Sequence, residues 1–177
     1  LVAALGGSDA TVTALFSALA VFRAPYLVAL GLTVRATAPL TRRVEEKGRG
    51  SLRSAALATA ALSVTGAAAA FGLAWPLGPP LLDALFGEGV APSGPVSGGI
   101  AAGCVLALGS LTITVALIAA AARRTLVLSW LAAAAAGALV LAAAGSLDPS
   151  GRVVAAFCVA EGVAVAAGAA GLLALRR

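Results

Sequence analysis

The most regular feature of the chain is a succession of apolar segments separated by short polar ones. Residues 54–75, 89–122 and 125–147 contain no charged residue at all. The hydrocarbon core of a bilayer is roughly 30 Å thick, and about 20 apolar helical residues cross it. A helix on the surface of a soluble protein needs a polar face, which these segments lack. The pattern therefore predicts membrane-spanning helices.

The remaining apolar segments extend this pattern to an all-α membrane protein, a bundle of about six transmembrane helices with short loops. Residues 1–7 are interpreted as the tail of a helix whose beginning is missing, and residues 8–177 as one bundle. The proline- and glycine-rich sequence over 76–95 predicts a connection between two of the spans. The predicted spans are 8–23, 25–42, 54–75, 96–122, 125–147 and 152–175.

The composition agrees with a membrane protein, with 61% hydrophobic and 11% charged residues. The net charge of +5 comes from basic clusters between apolar segments, which favours membrane anchoring over nucleic-acid binding. The chain has no histidine, and Cys104 and Cys158 fall inside predicted spans, so no metal and no cofactor is expected. It also has no methionine and begins within apolar sequence, so we expect it to be a piece of a longer protein.

The basic residues divide unequally between the two ends of the predicted spans. Of the twelve, nine fall at one end, two at the other, and Arg35 falls within a span. Because short loops rich in lysine and arginine stay in the cytoplasm, loops 43–53 and 123–124 and the C-terminus are predicted to be cytoplasmic, in a multi-pass protein of the cytoplasmic membrane. The nine are Arg42, Arg43, Lys47, Arg49, Arg53, Arg123, Arg124, Arg176 and Arg177; the two are Arg23 and Arg152.

Small residues are abundant in the spans, and Gly99 and Gly103 form a GxxxG pair. In lipid, small residues let helix backbones approach closely. The pair therefore indicates either a tightly packed bundle with sliding interfaces or only the general amino-acid composition that the source genome favours.

Arg35 is the most informative single residue, because a guanidinium near mid-membrane is costly unless it is paired or hydrated. Pro39 removes the hydrogen bond to the Arg35 carbonyl and predicts a kink there, and Pro25 predicts another at the start of this helix. Gly31 and Arg42 share roughly the same helix face as Arg35. The pattern favours a contact for an anionic headgroup; the alternative is a structural arginine that snorkels or pairs with another helix.

Two further charged residues are candidates for function. Apart from Asp9 at the start of span 8–23, Glu161 is the only acid within a predicted span. It would pair with Arg35, carry a coupling proton or face a hydrated crevice. Arg23 is expected at the outer headgroup level, as an interfacial anchor or an additional headgroup contact. No nucleophile elbow, phosphate-binding glycine loop or CxxC motif occurs, and the acids are scattered, so catalysis is not expected.

The order of these motifs resembles a known transporter family. Arg23-Ala24-Pro25 is followed by a long segment ending in Ala38-Pro39-Leu40-Thr41-Arg42, then a charged loop, and later a hairpin turned by Arg123-Arg124. The segment ending in Leu85-Phe86-Gly87 is similar to a stretch before an external loop in the polysaccharide-biosynthesis flippases. These belong to the multidrug/oligosaccharidyl-lipid/polysaccharide exporter superfamily. Such transporters contain two bundles of this kind, and the chain resembles the C-terminal one.

The resemblance implies that the protein flips a polyprenyl-pyrophosphate-linked saccharide, a precursor of a cell-envelope polysaccharide, across the cytoplasmic membrane by alternating access. Its partners would be the lipid carrier, the bilayer and the missing N-terminal half or other envelope-biosynthesis proteins. Two alternatives stay open: a cation-coupled multidrug exporter of the same superfamily, which requires a buried acid such as Glu161, and a non-transporting membrane scaffold, in which Arg35 tolerates replacement by leucine.

Overall fold

The chain folds into α-helices, and the all-α prediction is confirmed. The computed structural model describes residues 2–175, and of residues 34, 36 and 49 only the backbone is described. Within that part the chain forms short 3₁₀ helices at Ala3–Leu5 and Arg49–Leu52 and no strand. The α-helices are α1 (Asp9–Phe22), α2 (Ala24–Lys47), α3 (Arg53–Phe86), α4 (Gly94–Ala119), α5 (Arg123–Ala143) and α6 (Pro149–Ala174).

Four of these helices, α3 to α6, are each long and apolar enough to cross a membrane. The first two differ from the prediction of separate spans at 8–23 and 25–42. They are joined at Arg23 with a bend of 49° and together qualify as at most one broken span, so the count of six is not confirmed. Arg23 itself has helical backbone angles, and Pro25 lies in the first turn of α2, where no N–H is required. The chain therefore bends here, with no intervening loop.

The third helix runs through the proline-rich segment that the sequence predicts as a connection. Pro76, Pro79 and Pro80 all lie inside α3, which ends only at Phe86, so the prediction is wrong for residues 76–86. Tertiary packing explains the difference: Leu82 is fully buried, and a Cβ on Gly78 would come within 2.7 Å of Ser97 on α4. Burial of one side of the segment outweighs the hydrogen bonds that the prolines remove.

The core consists of two clusters at opposite ends of the bundle, with α4 between them. Helix α4 is the inner helix. In the most apolar 18-residue stretch of each helix, 61% of the residues are buried in α4, against 17% in α3. It packs mainly against α3 and α6, while α2 lies along a further side and α5 packs mostly on α6. One cluster contains Leu15, Ala18, Leu82, Val96, Ile100, Cys104 and Val154; the other contains Leu52, Ala56, Ile113, Leu117, Ala120, Ala169 and Leu172.

The second cluster joins the start of α3, the end of α4 and the end of α6. Leu40 and Val44, toward the end of α2, pack against it, as does Leu126 at the start of α5. We call this the basic end, because the loops carrying most of the lysines and arginines extend from it; the end near Leu82 and Val96 is the opposite end. Helix α3 therefore runs antiparallel to both α4 and α6. The unequal distribution of charge along the sequence is also an unequal distribution in space.

Close packing of α4 on α6 accounts for the GxxxG pair. A Cβ on Gly99 would come within 2.5 Å of the Val154 side chain, and one on Gly103 would overlap the ring of Phe157. The thiol of Cys158 donates to the Gly99 carbonyl over 3.1 Å. Both glycines are thus required by the contact between the two helices, as the tightly packed alternative predicts.

Candidate functional site

The candidate site is the outer face of α2, the side that no other part of the described chain covers. The inner side, which faces α4, includes Ala29, Thr33, Thr37, Leu40 and Val44, all partly buried and spaced by three or four residues. A stripe with that spacing follows one side of a helix. The opposite side carries exposed residues at the same spacing: Val28, Gly31, Arg35, Ala38, Pro39 and Arg42.

Arg35 lies near the middle of α2, and its side chain is exposed. The polar side chains nearest to it on the helix are threonines that bond their own backbone: Thr33 donates to the Leu30 carbonyl over 2.7 Å and Thr37 to the Thr33 carbonyl over 2.8 Å. These hydroxyls are therefore satisfied within the helix, a common arrangement for threonine in apolar surroundings. The guanidinium of Arg35 has no such internal partner in the described structure.

The structure places Arg42 on the same outer face as Arg35, seven residues, or about two helical turns, further toward the basic end. At 1.5 Å per residue the two backbone positions are about 10 Å apart along the helix. Arg43 follows and is also exposed. The predicted cationic stripe thus consists of Arg35 and Arg42 on a helix face that is apolar toward the opposite end.

Arg23 does not belong to this stripe. It occupies the bend between α1 and α2, with its guanidinium 5.1 Å from the centre of the Tyr26 ring, a cation–π contact. It also lies at the edge of an apolar cavity of about 370 Å³ between α1, α4 and α6. Pro25 lies two residues beyond Arg23, next to the 49° bend. Helix α2 continues through Pro39 to Lys47 as a single element.

Glu161 lies between α6 and α4, away from the outer face of α2. Its Oε2 accepts a hydrogen bond of 2.6 Å from the buried hydroxyl of Ser110 on α4. The same hydroxyl is 3.0 Å from the Ala107 carbonyl, an alternative acceptor on its own helix. In the described structure Glu161 forms no ion pair with Arg35; its partner is Ser110, which the sequence did not identify because α4 and α6 are remote in sequence.

Two arginines assigned from sequence only to the ends of the predicted spans have specific structural partners. Arg53, at the start of α3, donates from Nη2 to the carbonyl of Leu175 at the end of α6 over 2.7 Å. Arg152, at the start of α6, donates from Nε to the carbonyl of Leu141 near the end of α5 over 2.6 Å. Each cation therefore satisfies a carbonyl at the C-terminal end of a neighbouring helix, where the helix dipole favours positive charge. The sequence showed that arginines cluster at helix ends, but it did not show which carbonyl groups they contact.

Comparison with known proteins gives no relative for this chain. No family model, no curated protein and no solved structure matches it. The resemblance to the flippases therefore rests on the motifs in the sequence, and the function must be argued from the geometry of the bundle and the placement of its charges.

Proposed function

We propose that the chain is one helical bundle of a membrane transporter that moves a lipid-linked saccharide with a pyrophosphate headgroup between leaflets. The observation that carries this proposal is the exposed guanidinium of Arg35 halfway along the uncovered face of α2. A guanidinium beside an apolar helix surface needs a hydrated cavity or an anionic ligand, and it binds phosphate oxygens in a bidentate fashion. Arg42, on the same face, supplies a second cation closer to the basic end.

The transport path in this proposal runs along the outer face of α2. A second bundle packed opposite this face would enclose a cavity with Arg35 and Arg42 on its wall. The headgroup and its sugars would cross in this cavity while the lipid tail stays in the bilayer. Rocking of the two bundles about the headgroup would give alternating access.

The charge distribution supports an orientation with the basic end in the cytoplasm. The topology that fits the structure has α1 and α2 as one broken span. With 14 residues, α1 is only about 21 Å long at 1.5 Å per residue, short of the roughly 30 Å of a hydrocarbon core. In this arrangement the start of α1 lies outside and the end of α6 lies in the cytoplasm.

The test is mass spectrometry of lipids that co-purify with the protein from its native membrane in mild detergent. Wild type is compared with Arg35→Ala and with Arg124→Ala, which removes an exposed cation from the first turn of α5. Polyprenyl-phosphate species should be enriched on wild type and on the Arg124 variant. They should fall roughly tenfold on the Arg35 variant, which corresponds to about 1.4 kcal/mol of lost headgroup binding.

Wild-type protein that carries only bulk phospholipid would count against the lipid-carrier function. Equal retention by the wild type and the Arg35 variant would remove Arg35 from the headgroup site. If Arg35→Leu preserved envelope-polysaccharide synthesis in cells, the non-transporting scaffold would become the better account.

One observation favours a second candidate, a cation-coupled multidrug exporter. Glu161 is a carboxylate between two apolar helices, and its contact with Ser110 ties α4 to α6. An acid in this position is suited to bind a proton or sodium ion that drives a rearrangement of the helices. This candidate predicts that Glu161→Gln abolishes ion-driven efflux of a cationic dye from proteoliposomes, whereas the flippase predicts no dye efflux even from wild type.

A further inference from the structure

The turn between α2 and α3, at the basic end, contains a cavity separate from the outer face of α2. Its lining consists of Lys47, Gly48, Gly50 and Arg53, and its volume is about 370 Å³. That volume lies in the lower part of the range for small-molecule sites, roughly 300–1,000 Å³. Two of the four lining residues are cationic, and none is acidic.

Arg53 is held rigidly at this cavity. Its Nη2 donates to the Leu175 carbonyl over 2.7 Å, which fixes the guanidinium against the end of α6. Its Nε is buried and has no hydrogen-bond partner in the described structure. A buried N–H of a cationic group that lacks an acceptor is costly, and in native structures it often marks a place where an ion or a water binds.

The backbone of the turn adopts a conformation at Gly48 that favours glycine. Gly48 has φ 74° and ψ 165°, a conformation that residues with a Cβ rarely adopt. Its carbonyl accepts from the Ser51 amide over 3.1 Å and from the Ser51 hydroxyl over 2.8 Å. Because the Gly48 carbonyl oxygen already accepts these two hydrogen bonds, it adds little negative potential to the cavity. The positive charges of Lys47 and Arg53 therefore determine the electrostatic potential there.

The charges of the surrounding segment also favour an anion. Residues 42–53 contain five basic and two acidic residues. The two acids, Glu45 and Glu46, are exposed in the last turns of α2 and do not line the cavity. A planar guanidinium beside a flexible ammonium is the combination that recognises phosphate, the first by paired hydrogen bonds and the second as a point charge.

We propose that the cavity formed by Lys47, Gly48, Gly50 and Arg53 binds a phosphate anion at the basic end of the bundle. The source of that phosphate is either the headgroup of an anionic membrane lipid or a free phosphate. Neither requires the protein to transport a lipid-linked saccharide, so the site stands or falls independently of the proposed function.

The test uses the protein purified in mild detergent and titrated with phosphatidic acid, with phosphatidylcholine and, separately, with inorganic phosphate. Binding is read by native mass spectrometry and by the rise in unfolding temperature. Lys47→Gln is the principal variant, since Lys47 is exposed and its loss leaves the tie between Arg53 and Leu175 intact. Arg123→Gln and Arg124→Gln, which remove exposed cations at the start of α5 at the same end, are the matched controls.

Wild type and both controls should bind phosphatidic acid in preference to phosphatidylcholine, and Lys47→Gln should weaken this binding roughly tenfold. If millimolar inorganic phosphate competes with the lipid and raises the unfolding temperature by itself, the natural ligand is a free phosphate. If it does neither while phosphatidic acid still binds, the ligand is a lipid headgroup. Equal effects of Lys47→Gln and Arg124→Gln would overturn the proposal, because they indicate only general attraction to the basic end. Equal binding of phosphatidylcholine would also overturn it, because it indicates no preference for an anionic headgroup.

Discussion

Ser110 of α4 donates a hydrogen bond of 2.6 Å to Glu161 of α6, and this contact lies near the middle of both helices. It joins the most deeply buried helix of the bundle to the neighbour that also contacts α5. Without this donor the carboxylate would lie between apolar helices with one fewer partner, an arrangement that costs free energy.

Replacement of Ser110 by alanine should therefore lower the stability of the bundle by about 1 kcal/mol, the magnitude found for side-chain hydrogen bonds between membrane helices. The measurement is the unfolding free energy in detergent, within a double-mutant cycle that also contains Glu161→Leu, which removes the acceptor oxygens. Ser129→Ala is the matched control, because that buried hydroxyl bonds only the Leu126 carbonyl of its own helix. A coupling energy of zero between positions 110 and 161 would contradict the contact.

The α4–α6 interface should tolerate no enlargement at Gly99. A Cβ there meets the stiff, branched side chain of Val154, so Gly99→Ala should destabilise the bundle by about 1–3 kcal/mol. Gly72→Ala is the control: this glycine also lies in a helix, but a Cβ on it would meet nothing within 4 Å. Thermal unfolding of the two variants side by side separates a packing effect from the change in helix propensity, which favours alanine at both positions. Equal unfolding temperatures would show that the two helices do not pack closely at Gly99.

The continuation of α3 beyond its prolines can be tested at two adjacent leucines. Leu82 is 0% exposed and Leu81 is 45% exposed, so they point to different sides of the extended helix, one buried and one exposed. Leu82→Ala should cost about 2–5 kcal/mol because it leaves a cavity, whereas Leu81→Ala should have little effect. Comparison of the two unfolding midpoints checks this, and similar losses at both positions would indicate a flexible connection after residue 75.

The comparison of sequence and structure shows which features depend on local pattern and which on tertiary contacts. Uncharged segments were sufficient to predict α4 and α5, and an apolar segment with a single internal acid was sufficient to predict α6. Hydrophobic length is a property of the segment alone. The path through Pro76 and Pro79 was not predictable, because it depends on the packing of Leu82 and Gly78 against other helices. Arg35 was found as an isolated charge in an apolar segment, whereas the partners of Glu161, Arg53 and Arg152 required the relative placement of helices remote in sequence.

The topology of the first two helices gives the last prediction, which concerns the side of the membrane on which each end lies. If α1 and α2 form one broken span, Ser8 before α1 and Glu46 near the end of α2 lie on opposite sides. If they form two separate spans, as residues 8–23 and 25–42 predict, both lie on the same side.

Both residues are exposed, so each can be replaced by cysteine for labelling, in a background with Cys104 and Cys158 changed to alanine. A membrane-impermeant maleimide applied to intact cells should label Ser8→Cys and should label Glu46→Cys only after the membrane is opened. Arg124→Cys, in the first turn of α5 at the basic end, should behave like Glu46→Cys and serves as the internal control. Protection of Ser8→Cys in intact cells together with Glu46→Cys would restore the six-span arrangement.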